Sequence, residues 1–309
     1  MKVLFWGTPE FAVPALRALD EEGHDIVAVV TQPDRPVGRG RALGMSPVKQ
    51  IAVQENIPVL QPERARGPEF EAQIRARAPD VSVVVAYGQI LRPEVLAVPR
   101  LGSINIHASL LPELRGAAPI AWAIIRGYEV TGITIMRKDA GLDSGPILLP
   151  EAVPIRPGES AGGLAHRLSV VGADAIVDAL SALPTGSLEE VQQEHTRATH
   201  APKLDRQTAR LRWSLPAHEV ARWIRGLDPV PGSWSILADG SALKLFCPVV
   251  EDAFGEPGVV LEAEDEGGVL IAAGAEAVRV HEVQPAGKRR MTAGEWVRGR
   301  GITAGSRLL

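Results

Sequence analysis

The sequence predicts an α/β protein: a mostly parallel sheet with helices on both faces, followed by a small β-barrel. Three observations predict it. The first half alternates short Val- and Ile-rich runs with helical stretches, the pattern of a parallel sheet built from crossover units. A polar stretch with little periodicity, residues 188–206, then interrupts the pattern. Beyond it, short strands follow at close spacing with glycine-bearing hairpin signals, which suits a barrel of the oligonucleotide-binding (OB) type. The implied organisation is a first domain over residues 1–187, a linker over 188–206 and a C-terminal OB-like domain over 207–309.

Taken in order, Lys2–Trp6 reads as the first strand. Phe11–Glu22 reads as a helix ending at Gly23, a residue suited to the left-handed position after a helix. Asp25–Thr31 is the second strand. Ser46–Glu55 is a helix with Ser46 as its N-cap and Pro47 at the first helical position. Pro68–Ala78 and Ala118–Arg126 are helical, while Val81–Ala86, Gly102–His107 and Gly132–Met136 are strands. A long helix covers Ser160–Leu180, and Leu183–Ser187 breaks it. After the linker, a helix capped by Ser214 runs to about Leu227. Strands follow at Ser233–Leu237, Ala242–Cys247, Gly258–Glu262, Gly268–Ala272 and Ala277–Val283, with Asp239-Gly240 and Gly267-Gly268 as hairpin turns. A Rossmann-like sheet of this kind binds ligands at the carboxyl ends of its strands, and Asn105 and His107 fall at one such end.

Composition bounds the function. A chain of 309 residues, 45% hydrophobic and 23% charged, is ordinary for a soluble globular protein of two domains. No apolar run approaches the roughly 20 residues that span a membrane. Met1–Trp6 is too short for a signal peptide and lacks a small-residue cleavage site. The single cysteine, Cys247, excludes an internal disulfide and any multi-cysteine zinc site. A cytoplasmic location is expected. The net charge of −4 gives no global sign of a nucleic-acid partner, so any polyanion site must be a local basic patch.

The most informative segment is Ser103–Pro112, followed about thirty residues later by Asp139–Gly145. Side chains alternate along a strand, so Asn105 and His107 share one face while Ile104 and Ile106 point into a core. An amide donor and an imidazole at a strand end, joined by Asp143 from a glycine-flanked loop, suit a carbonyl that becomes a tetrahedral oxyanion while protons move. Each residue alone also reads as a cap, a satisfied polar group or a turn residue; the set is far more specific. At the first turn only Gly7 fits a dinucleotide fingerprint, and Gly38-Arg39-Gly40 has Leu43 where the third glycine belongs. A nicotinamide site is therefore disfavoured.

Basic residues gather in three places. The long loop after the second strand holds Arg35, Arg39 and Arg41, and reads either as a basic loop that orders on phosphates or as a solvated loop. A second cluster runs from Arg197 through Lys203, Arg206, Arg210, Arg212, Arg222 and Arg225, and a third is Lys288-Arg289-Arg290. Trp213, Trp223 and Trp234 are either stacking platforms for bases or core residues.

Together, Gly7–Ala12, Thr31–Gly40, Val85–Gly88, Ile104–Pro112, Arg115–Ile120, Asp139–Gly145 and Gln284–Lys288 resemble the methionyl-tRNA formyltransferases, a branch of the folate-dependent formyltransferase family. The resemblance covers nearly the whole chain. It implies transfer of a formyl group from 10-formyltetrahydrofolate to the α-amino group of methionyl-initiator tRNA. It implies a catalytic trio of Asn105, His107 and Asp143, with folate contacts at Val85, Ala86, Tyr87, Gly88, Ser109, Leu110, Leu111 and Pro112. It further implies tRNA contacts at Arg35, Arg39, Arg41, Lys203 and Arg206; no metal is expected to be required, and the protein is expected to act as a monomer away from membranes. The expected chemistry has Asn105 and a protonated His107 donating to the oxyanion, with Asp143 pairing the imidazole. Competing readings are a formyltransferase for an amino sugar or other small amine, a nucleic-acid-binding module without catalysis, and a nicotinamide dehydrogenase.

Overall fold

A computed structural model describes residues 1–37 and 42–309 of the chain. The first elements are β1 (Lys2–Gly7), α1 (Val13–Glu21), β2 (Asp25–Val30), the hairpin strands β3 (Arg35–Val37) and β4 (Ala42–Gly44), α2 (Pro47–Gln54), β5 (Val59–Leu60) and α3 (Pro68–Arg75). Next come β6 (Val81–Val85), α4 (Pro93–Leu96), β7 (Ser103–His107), β8 (Arg115–Gly116), α5 (Pro119–Ile125), β9 (Val130–Arg137), β10 (Ile147–Pro154) and α6 (Ala161–Ala182). The remainder is β11 (His200–Ala201), α7 (Ala217–Gly226), β12 (Trp234–Ile236), β13 (Ala242–Glu251), β14 (Val260–Glu264), β15 (Gly268–Ala272), β16 (Ala277–Pro285), β17 (Met291–Thr292) and α8 (Ala293–Arg298).

The chain forms two compact units that interleave in sequence. The first takes Met1–Gly116, Val130–Pro154 and Ala165–Ala201; the second takes Ala117–Glu129, Ile155–Leu164 and Pro202–Leu309.

The first unit is built on a seven-stranded sheet in the order β10-β9-β7-β6-β1-β2-β5. The five strands from β7 to β5 are parallel, and β9 and β10 add antiparallel pairs at one edge. The chain builds outward from β1 to β2 and β5, then returns to the other side of β1 with β6 and β7. The order reverses between β1 and β6, and a crevice at the strand ends opens at such a point. Leu4 and Trp6 of β1 pack with Phe70 and Ile74 of α3 and with Val84 and Tyr87. Trp6 meets Phe70 and Tyr87 edge-on, with ring centroids 5.9 and 5.2 Å apart, and donates from Nε1 to Ser82 Oγ. Ile106 of β7 and Ile133 of β9 lie against Gly172 of α6, where a Cβ would stand 3.0 Å from Ile106.

Local signals act as the sequence leads one to expect. The Ser46 hydroxyl accepts from the Lys49 amide at 3.1 Å, an N-cap contact worth about 1 kcal/mol. Gly23 takes φ +75 after α1. Several boundaries differ: β13 runs on to Glu251, α3 ends at Arg75, and two helices start elsewhere than expected. The first helix opens as a 3₁₀ turn at Glu10–Ala12 before α1 begins. Helix α7 starts at Ala217 behind Pro216 and not behind Ser214, because a proline holds the residue before it out of helical geometry. Helix α6 is also more apolar than the reading of the chain allowed. The stretch Ala161–Thr185 is long and apolar enough by length and composition to cross a membrane, yet half of its most apolar window is buried inside the protein. Leu168, Ile176, Ala179 and Leu180 are buried core residues of this helix.

The second unit carries an antiparallel sheet, β12-β13-β16-β15-β14, with β17 beside β16. Its core joins Leu243, Leu245, Val269, Ile271, Val278 and Val280 to Val220 and Ile224 of α7. Helix α5 belongs here by packing. Ile125 clusters with Ala209 and Leu227, and the Trp122 and Trp223 rings meet edge-on at 5.8 Å. Arg290 lies over the Phe246 ring at 3.9 Å, pairs with Asp228 at 2.7 Å and also bonds Glu282.

Candidate active site

Strand β7 is an inner strand, so all five of its residues are buried, including Asn105 at 7% and His107 at 5% exposure. Asn105 pairs in register with Val84 of β6 and Met136 of β9, which fixes the backbone beneath its side chain. No described residue hydrogen-bonds the Asn105 carboxamide, which leaves it available to a ligand.

The loop after β9 brings Asp143 to His107. Asp143 Oδ2 lies 3.6 Å from His107 Nδ1 and accepts from the Gly116 amide at 3.0 Å. Its Oδ1 accepts from Lys138 Nζ at 3.2 Å. Asp143 sits at φ +53, a left-handed conformation that L-residues adopt at a cost of about 1–2 kcal/mol, least for Asp and Asn. Gly145 permits the turn, because a Cβ there would lie 2.1 Å from the Arg137 carbonyl oxygen. Gly116, at φ +121, brings its amide to the carboxylate where a Cβ would press on Ala201.

His107 donates from Nε2 to the Leu114 carbonyl at 3.0 Å. Its pKa is pushed below the ordinary histidine value, first by burial. Asp143 and the Leu114 contact oppose that shift, and Lys138 and Arg115 reinforce it. A protonated His107, as the sequence leads one to expect, would have only Nδ1–H to give to an oxyanion, and burial works against that charged form. Nε2–H is committed to Leu114, and the imidazole is held toward neutrality. Its Nδ1 lone pair and Asp143 Oδ2 form two acceptors 3.6 Å apart, an arrangement fit to receive a proton from a donor placed between them.

Of the residues expected to contact folate, Ala86, Tyr87 and Gly88 line a cavity of about 480 Å³ at the ends of β1, β2 and β6, together with Thr8, Gln32 and Arg35. Val85 is buried within β6 and does not line it. Tyr87 is 2% exposed with its hydroxyl unpartnered, and burial pushes its pKa up to about 12. Its carbonyl accepts from Thr8 and Gln32. Ser109, Leu110, Leu111 and Pro112 do not line this cavity either; they form a loop pinned to β9. The Ser109 hydroxyl donates to Glu113 O, and Thr134 of β9 accepts from Leu111 N while donating to Ser109 O.

Arg35 is exposed at the rim of the same cavity, while Arg39 and Arg41 lie outside the described residues. Lys203 and Arg206 are exposed in the second unit. There Arg206 and Arg210 lie over the Trp234 ring at 5.4 and 5.8 Å. Trp213 is a core residue bonded to Ser235, and Trp223 packs on Trp122. Two residues beside the trio escaped the reading of the sequence. Lys138 follows β9 directly, as a lone lysine among turn residues. Gln193 lies in the polar stretch after α6, where no periodicity marks it.

The family model described as formyl transferase matches residues 1–180, and that described as formyl transferase, C-terminal domain, matches residues 203–301. The chain is 49% identical over 311 residues to a methionyl-tRNA formyltransferase of Thiobacillus denitrificans, covering 100% of this chain and 99% of that one. It is 44% identical over 308 residues to one of Geobacter sulfurreducens, covering 100% and 96%. Among solved structures, the sugar 3N-formyl transferase WlaRD shares the fold with a TM-score of 0.68 at 17% identity, covering 94% of this chain and 99% of that one. HypX of Aquifex aeolicus, solved with tetrahydrofolic acid, gives 0.66 at 18% identity, covering 96% of this chain and 47% of that one.

Proposed function

The chain belongs to the formyl transferase family, and from that premise we infer that it moves the formyl group of 10-formyltetrahydrofolate onto the α-amino group of methionyl-initiator tRNA. The product is formylmethionyl-tRNA for translation initiation. Full-length similarity to methionyl-tRNA formyltransferases supports the tRNA acceptor over a small amine. The observation that carries the chemistry is Asp143 Oδ2 at 3.6 Å from His107 Nδ1, with Asn105 two residues before His107 on β7.

The acceptor amine must be neutral to attack, and an α-amino group has a pKa of about 7.7–8.0 before its ester lowers it. A moderate base therefore suffices. As the amine nitrogen bonds to the formyl carbon, the carbonyl oxygen becomes an oxyanion, and the free Asn105 carboxamide donates to it. His107 Nδ1, steadied by Asp143, takes the proton that the amine sheds. The same proton passes to the folate nitrogen as its bond to the formyl carbon breaks, and the imidazole returns to neutral. The cavity at Ala86–Gly88 supports a folate contact there, and the Ser109–Pro112 loop stands as a second contact. Arg35, Arg39 and Arg41, with Lys203 and Arg206, are the proposed contacts to RNA phosphates. The enzyme acts in the cytoplasm as a monomer.

A formylation assay with initiator and elongator Met-tRNA tests the whole reading. Rapid, folate-dependent formylation of the initiator is expected. Transfer only to small amines, with Met-tRNA inert, would overturn the acceptor.

A further inference from the structure

Residues 190–201 run back along the catalytic loops. Glu190 pairs with Arg137, and Val191 exchanges two backbone hydrogen bonds with Ile147. Thr199 accepts from the Leu114 amide through its hydroxyl and from the Arg115 amide through its carbonyl. β11 then pairs with β8. Leu114 is the residue whose carbonyl receives His107 Nε2–H.

Gln193 is the centre of this strap. It is 5% exposed and its amide is saturated. Nε2 donates to the carbonyls of Asp143 at 2.9 Å and Gly145 at 2.7 Å. Oε1 accepts from Arg115 Nε at 3.0 Å and Nη2 at 2.6 Å. Arg115 is itself 6% exposed and, among the described residues, has no carboxylate partner. A guanidinium only donates, so it dictates that the amide oxygen faces it and the amide nitrogen faces the loop. The peptide after Arg115 supplies the Gly116 amide that holds Asp143 Oδ2. Asp143 is thus gripped at both ends, its carboxylate by Gly116 and its carbonyl by Gln193, which Arg115 orients.

We propose that Gln193, oriented by Arg115, is a positioning residue for formyl transfer: it holds Asp143 in its left-handed turn so that the carboxylate faces His107. The inference rests on the reading of Asp143 and His107 as the proton-handling pair. A residue in that backbone conformation stays there only where its surroundings over-determine it. Two hydrogen bonds from one side chain to the carbonyls flanking Ser144 do so. Without them the turn relaxes and the carboxylate swings from the imidazole.

The test uses the full chain. Gln193→Glu keeps the contact with Arg115 but removes both donors to the loop. Turnover is expected to fall roughly 10- to 100-fold, with KM for 10-formyltetrahydrofolate and Met-tRNA within about twofold of the parent. In an Asp143→Asn background the same change should cost little more, because the group it positions is already disabled. Should Gln193→Glu fail to fold, Gln193→Met, which matches the length without the amide, takes its place in the same cycle. Parent-like turnover, or a loss that multiplies fully onto Asp143→Asn, would reduce Gln193 to a structural staple and overturn the proposal. If Asp143→Asn alone turns over like the parent, the underlying reading of Asp143 falls. If Asp143→Asn is slow and Gln193→Glu is not, only the strap falls.

Discussion

Lys138 and His107 compete for one carboxylate: Lys138 Nζ stands 3.2 Å from Asp143 Oδ1, and His107 Nδ1 stands 3.6 Å from Oδ2. Lys138 also donates its backbone amide to Ser103 at the start of β7, so the lysine, the strand and the imidazole are fixed in one frame. The charged groups facing the imidazole are Asp143, Lys138 and Arg115.

Burial sets the pH dependence first, and this competition adjusts it. Burial, assisted by Lys138 and Arg115, holds the His107 pKa below its usual 6.5. Activity that needs the neutral imidazole is then full above that value and falls only as pH drops through the depressed pKa. Lys138→Met removes one lowering influence and frees Asp143 for His107, so the acid limb of kcat/KM moves to higher pH; Lys138→Arg leaves it in place. Folding stability follows the same sign: the unfolded chain takes up the His107 proton first, so stability declines as pH falls below about 6.5. An unmoved acid limb in Lys138→Met would separate Lys138 from the chemistry.

Asn105→Ala removes a donor. Turnover should fall roughly 100- to 1,000-fold, the usual cost of one oxyanion donor. The KM for the folate donor stays near the parent value. Single-turnover formylation measures the step directly, and an unchanged rate would exclude Asn105 from it.

Arg35→Ala tests the cavity rim. If Arg35 meets one phosphate, the dependence of log affinity on log salt should flatten by about 0.9. Folate KM should not change. Filter binding of Met-tRNA at several salt concentrations reads the slope, and a parent-like slope with parent-like affinity removes Arg35 from the RNA contact.

Arg290→Met tests the second unit. Asp228 would lose its cation while remaining 8% exposed, and the Phe246 face would lose its cover. The pair is partly solvated at the arginine, so the cost should be about 1–3 kcal/mol, below that of a fully buried pair. A lower urea midpoint with normal folate KM is expected.

Much of this was legible in the sequence because it follows short-range rules. The alternation Ile104-Asn105-Ile106-His107 marks a strand with a polar face. Ser46-Pro47 marks a helix start, and Asp239-Gly240 marks the turn between β12 and β13. Strand β10 was not legible. It is an exposed edge strand containing Pro150 and Glu151, so it lacks the apolar alternation that announces a strand. Gln193 was not legible for a different reason. Its role depends on Asp143, Gly145 and Arg115, about fifty to eighty positions away, and a lone glutamine in polar sequence carries no local signal. The placement of α5 is similar: its helical character reads from Ala118–Arg126, whereas its partners Ala209 and Leu227 become neighbours only on folding.

The interleaving of the two units bears on any attempt to build chimaeras from relatives. A graft that begins at Pro202 would import Trp223 and Leu227 but leave Trp122 and Ile125 to the recipient, pitting a foreign helix face against its counterpart. Junctions that carry residues 117–129 and 155–164 with the donated half would keep each hydrophobic seam among residues of common ancestry.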